Sequence, residues 1–232
     1  MAVYTQITEA ELVTFLAGYA LGTLTSFEGI TSGVENTNYK LETSQGQYIL
    51  TLFEKRTDPA DLPYFIALKN HLASNGFPCP EPITTRGGEI LRELAGRPAI
   101  IISFLEGREP PAPNTTQCHE LGKALAQMHI ALSDFRQTRK NALGVESWPA
   151  LWRDRAPETE QLATGLASLI EADLEAIAVD WPQSETLPTG TIHADFFPDN
   201  AFFTGDTFTG AIDFYFACSG LLAYDLAVCI NA

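Results

Sequence analysis

The sequence predicts an α+β fold in two lobes, a small antiparallel-sheet lobe followed by a mainly helical one. Three observations carry this reading. Helical and period-two segments alternate through the N-terminal part of the chain. A proline-rich stretch, Glu106 to Asn114, then interrupts both periodicities. Beyond it the apolar spacing turns helical. A chain of 232 residues is long enough for two modest cores.

Thr8 and Glu11 have the spacing of a capping box, and Leu12, Phe15, Leu16 and Tyr19 follow on one helical face, with Gly22 as the expected stop. Period-two alternation around Asn38 to Thr43 and Tyr48 to Phe53, joined by Ser44 to Gln47, predicts a hairpin. Leu62, Phe65, Leu68 and Leu72 predict a helix over Asp61 to Asn75, capped at Gly76. Two further strands are expected at Glu89 to Leu94 and Pro98 to Leu105. The helix, hairpin, helix, hairpin order makes the first lobe, residues 1–106. The second lobe, 107–232, has one helix through Leu121, Leu125, Met128 and Leu132, and another through Leu162, Leu166, Leu169, Ile170, Leu174 and Ile177. Thr191 to Phe216 reads as two apolar strand-like runs around the turn Thr204 to Thr207.

Fourteen basic and 29 acidic side chains leave a formal charge of −15. Such a field repels nucleic-acid phosphates and anionic lipid surfaces, so neither partner is expected. An acidic protein that handled an anion would need a locally positive or metal-loaded pocket. Cys79, Cys118, Cys218 and Cys229 form no metal-binding cluster and read as free thiols. With no leader pattern and no run of about 18 apolar residues, the chain is expected in the cytoplasm.

The chemistry concentrates in His193-Ala194-Asp195-Phe196-Phe197-Pro198-Asp199-Asn200, followed by Ala211-Ile212-Asp213-Phe214. This is H-x-D-x-x-x-x-N, then a strand ending in D-F. Phosphoryl transfer to an alcohol needs a carboxylate that orients the hydroxyl and takes its proton, and oxygen ligands for Mg²⁺ at the phosphates. In the kinase pattern these are Asp195 for the hydroxyl, and Asn200 and Asp213 for the metal. Taken singly, Asp199, Asn200 and Asp206 also suit turns. The spacing from Asp195 to Asn200, the hairpin after it and the position of Asp213 agree together on the catalytic pattern. His193 fits a brace that hydrogen-bonds backbone, since the base is already supplied.

These residues identify the resemblance. The stretch above, Ser32-Gly33-Val34-Glu35-Asn36-Thr37-Asn38-Tyr39, Leu121 to His129 and Tyr224-Asp225-Leu226-Ala227 together resemble the aminoglycoside-phosphotransferase and choline-kinase superfamily, and within it the homoserine kinases. The resemblance implies a protein-kinase-like fold, ATP and Mg²⁺ as cofactors, and L-homoserine as acceptor. Choline, methylthioribose or an aminoglycoside stay open as acceptors, and so does a nucleotide-binding pseudokinase.

By the same resemblance, Ile30 to Asn38 is the loop between the first two strands, over the triphosphate. Gly33 would allow close backbone approach, and Ser32, Asn36, Thr37 and Asn38 would donate to phosphate oxygens. Backbone groups from Ser103 to Leu105 would pair with adenine, and Asp225 would brace the catalytic loop. One position departs from the pattern. Related folds carry a lysine or arginine on the third strand for the α- and β-phosphates, where Thr51 stands here. Lys55 shares the Thr51 face and would reach inward if the strand ran that far. The apolar ending Leu221, Leu222, Leu226, Val228, Cys229 and Ile230 suits a helix needing a cover, so the second lobe is expected to be incomplete at the C-terminus. Oligomeric state is not legible in the sequence.

Overall fold

A computed structural model describes residues 3–31, 35–182 and 186–231. Its first lobe is a five-stranded antiparallel sheet: β1 (Leu24–Ile30), β2 (Thr37–Thr43), β3 (Gly46–Leu52), β4 (Arg92–Leu94) and β5 (Arg97–Ser103), in the order β1-β2-β3-β5-β4. Helix α1 (Glu9–Leu16) precedes the sheet and α2 (Leu62–Ser74) follows β3. The Thr8 hydroxyl and Glu11 carboxylate satisfy the first turn of α1 reciprocally. That helix ends at Leu16, ahead of the stop expected at Gly22, yet Tyr19 still reaches the core.

Alternation splits β3 between two cores. Leu50 and Leu52 pack with Leu12, Phe15 and Leu16 of α1. Ile49 and Phe53 face the other way, toward Phe65, Leu68 and Leu72 of α2. This second core runs on without a break into Leu121, Leu125 and Met128, and into Phe196, Phe203 and Phe214.

The second lobe holds α3 (Thr115–Ala131), α4 (Trp148–Leu162), α5 (Leu166–Asp180), β6 (Thr189–Ile192), β7 (Ala201–Thr204), β8 (Thr207–Ala211), β9 (Cys218–Leu221) and α6 (Leu222–Ile230). The β7–β8 hairpin is the one expected around Thr204 to Thr207. The single helix expected from Leu162 to Ile177 is corrected to two. Leu162 closes α4, Ala163 turns extended at φ −157°, and Gly165, left-handed at φ 81° as glycine allows cheaply, stands as the N-cap of α5. The antiparallel β6–β9 pair, which joins segments far apart in sequence, was not expected. Helix α6 forms as its spacing suggests, with Leu226 and Ile230 exposed. Among the described residues no helix is long and apolar enough to cross a membrane.

Candidate active site

The loop after β6 carries the H-x-D-x-x-x-x-N run. Ala194 stands at φ 64°, left-handed backbone that costs about 1–2 kcal/mol for a residue with a Cβ. Three groups hold it there. The Asp225 carboxylate, buried on α6, accepts from the His193 N–H at 2.9 Å and from the Ala194 N–H at 2.8 Å. His129, at the end of α3, donates Nε2–H to the same carboxylate at 2.9 Å. The His193 ring donates its own Nε2–H to the Ile212 carbonyl at 2.9 Å, tying the loop to the strand before Asp213. Burial lowers the His193 pKa, so the ring stays neutral in this bracing role.

Asp195 leaves this turn half-buried. The Asn200 side-chain amide donates to the Asp195 carbonyl at 2.7 Å and to its carboxylate at 2.9 Å. Both contacts are acceptors, so the amide nitrogen faces Asp195 and the amide oxygen is turned away, free to serve as a ligand. Burial first, and the nearby Asp213 charge second, push the Asp195 carboxyl up to about 6. Asp213 sits at φ 59°, with its Oδ1 buried and without a hydrogen-bond partner among the described residues. Burial raises its pKa.

An orphaned carboxylate oxygen on Asp213 and an outward-turned amide oxygen on Asn200 are donors of the kind that suits a hard cation such as Mg²⁺. The structure thus brings Asp195, Asn200 and Asp213 together.

The remaining candidates lie in the first lobe. Ser32 and Gly33 lie outside the described residues. Asn36 accepts the Glu54 N–H at 3.1 Å and the Thr57 hydroxyl at 3.2 Å, closing the loop onto the end of β3. Asn38, on β2, accepts the Thr51 hydroxyl at 2.8 Å across the strand pair. Ser103 is tied to the Glu81 segment through its N–H and its hydroxyl, both at 2.9 Å. Leu105, half-buried just beyond β5, pairs its backbone with nothing among the described residues and leaves both groups for a ligand. β3 ends at Leu52, and Lys55 stands exposed in the turn behind it.

One cation that the sequence reading passed over lies near the centre. Lys69, on α2, is only 2% exposed. Its Nζ lies 3.2 Å from the Tyr215 hydroxyl and 4.5 Å above the Tyr215 ring. The signal was present in the sequence: Lys69 follows Phe65 by four and precedes Leu72 by three, which places a charge inside an apolar stripe. The two grooves flanking β9 are lined by none of Asp195, Asn200 or Asp213.

The sequence profile of the APH phosphotransferase enzyme family matches residues 26–232. Homoserine kinases of Hyphomonas neptunium and Azorhizobium caulinodans are 56% and 52% identical to this chain over 232 residues, which is all of it and 71% and 72% of theirs. Among solved structures, a spectinomycin phosphotransferase in complex with ADP and spectinomycin superposes with a TM-score of 0.75 at 16% identity, over 96% of this chain and 73% of that one. A microcompartment-associated aminopropanol kinase gives 0.74 at 17% identity, over 96% and 74%. Both likenesses are of fold.

Proposed function

The chain belongs to the APH phosphotransferase enzyme family, and from that premise we propose that it transfers the γ-phosphoryl group of ATP to the side-chain hydroxyl of L-homoserine. The products are ADP and O-phospho-L-homoserine, an intermediate on the way to threonine. The observation that carries the phosphoryl-transfer reading is the convergence of the Asp195 carboxylate, the outward-facing Asn200 amide oxygen and the unpartnered Asp213 oxygen. The acceptor follows from whole-chain identity above one half to relatives that bear this activity in their names.

Asp195 accepts a hydrogen bond from the substrate hydroxyl and aims its oxygen at the γ-phosphorus. The new O–P bond forms as the bond to the β-γ bridging oxygen breaks, the hydroxyl proton passes to the Asp195 carboxylate and then to solvent, and ADP leaves. A base raised toward neutrality is a better proton acceptor than an ordinary aspartate. Asn200 and Asp213 would hold Mg²⁺, whose charge offsets that of the phosphates. The backbone groups of Leu105 would receive adenine. Asp225 and His193 act earlier, by fixing the turn from which Asp195 projects. Catalysis of this kind is positioning and electrostatics, with no covalent phospho-enzyme.

The test is ADP release with Mg²⁺-ATP and a panel of L-homoserine, choline, methylthioribose and an aminoglycoside. Turnover is expected with homoserine. Turnover with another member and none with homoserine overturns the acceptor, and nucleotide binding without turnover on any of them would leave a binding module.

A further inference from the structure

Phosphate binding in this architecture needs a cation, and the strand position that would supply it holds Thr51, neutral and engaged with Asn38 at 2.8 Å. Lys69 is a charge buried beneath the same strand. Its helix packs on the β3 face that carries Ile49, with Phe53 just past the strand end. Its Nζ makes no ion pair among the described residues; its contacts there are the Tyr215 hydroxyl at 3.2 Å and the Tyr215 ring at 4.5 Å. A buried ammonium without an anion is costly to a fold. An ammonium has three donors, and Tyr215 engages only one of them. The others remain for an anion that none of the described residues provides through an ion pair or hydrogen bond.

The location is specific. Tyr215 lies two residues after Asp213. Its ring is held edge-on by Phe53 at 5.3 Å and by Phe65 at 5.5 Å, so the hydroxyl that meets Lys69 is fixed from both the strand and the helix.

We propose that Lys69, carried by helix α2, holds the α- and β-phosphate oxygens of the nucleotide, a task that passes from strand to helix because Thr51 cannot perform it. This rests on the nucleotide reading above. Lys55 is the competing cation, but β3 ends before it and its side chain is exposed.

The test is binding of ATP, ADP and adenosine to the full 232-residue chain, with and without Mg²⁺, by calorimetry and by thermal shift. Lys69→Met keeps the apolar stem and removes the charge. It is expected to weaken ATP and ADP at least tenfold, to leave adenosine within twofold, and to melt no lower than the wild type without nucleotide. The double variant Thr51→Lys, Lys69→Met should recover part of the lost ATP affinity by returning the charge to the strand. Should Lys69→Met not fold, Lys69→Gln, which keeps a partner for the Tyr215 hydroxyl, is held to the same criteria. Unchanged ATP affinity, or equal loss for ATP and adenosine, overturns the assignment, as does a loss confined to Lys55→Met. Failure of the wild type to bind Mg²⁺-ATP at all overturns the nucleotide reading and this inference with it.

Discussion

Oδ1 of Asp225 accepts a hydrogen bond from the backbone N–H of Ala194 at 2.8 Å, and Ala194 stands at φ 64°. A carboxylate on α6 thereby sustains left-handed backbone immediately before the Asp195 base, in a loop 31 residues earlier. The same group accepts from His193 and His129, so removing it would strand several buried donors together.

Asp225→Ala is accordingly expected to lose about 3–5 kcal/mol of unfolding free energy, the range for breaking a buried charged network. Urea titration measures this, and turnover should fall with it. A loss below about 1 kcal/mol would mean that the loop holds itself.

Asp225 also sets a pH dependence. Burial works against its charge, but the hydrogen bonds from His129, His193 and Ala194 outweigh burial and hold its pKa below the ordinary value. A lowered carboxylate contributes stability that is present above the unfolded value, about 3.9, and is lost as pH falls through the folded one. Asp225→Asn should flatten that acid limb in denaturation curves taken from pH 6 downward. An acid limb identical to the wild type's would assign it to other carboxylates.

Asp195→Asn should keep Mg²⁺-ATP binding and lose turnover by about 10²–10⁴, since the amide keeps the shape without the proton acceptor. Its stability in metal-free solution should move the opposite way to that of Asp225. A raised carboxylate contributes stability below its unfolded value and loses it as pH rises through about 6. The variant should therefore melt at or above the wild type at pH 8, and the difference should vanish near pH 4. Near-normal turnover would remove Asp195 from its role.

Asp213→Ala removes a charged metal ligand and should raise the Mg²⁺ concentration needed for half-maximal ATP binding at least tenfold. A magnesium titration that superimposes on the wild type's would refute the assignment of Asp213 to the metal.

Gly107, in the link between lobes, stands at φ 111°, and a Cβ there would lie 2.5 Å from the Thr209 hydroxyl and 2.9 Å from the Phe203 carbonyl. Thr209 can rotate away. The carbonyl cannot, because it accepts the Arg108 N–H at 3.1 Å. Gly107→Ala should therefore cost more than about 1 kcal/mol, and Thr209→Ala should not restore it. An unchanged denaturation midpoint would show that the link can shift.

What the sequence by itself determined was local. The Thr8 capping box, the α2 stripe from Leu62 to Leu72 and the β2–β3 alternation depend on neighbours a few residues apart; α2 and the two strands formed within a few residues of their expected limits, and α1 started where its capping box placed it. The spacing of Asp195, Asn200 and Asp213 was legible in the same way, because a hairpin and its flanking loops are short-range objects. The break between α4 and α5, an extended Ala163 and then a left-handed Gly165, is masked in the sequence by continuous apolar spacing on both sides. Tertiary structure alone decided the rest. The pairing of β6 with β9 and the three-way capture of the Asp225 carboxylate depend on which distant surfaces meet. Lys69 is the clearest case. By sequence a lysine is by default exposed, and only the packing of α2 beneath β3 and against Tyr215 buries its charge.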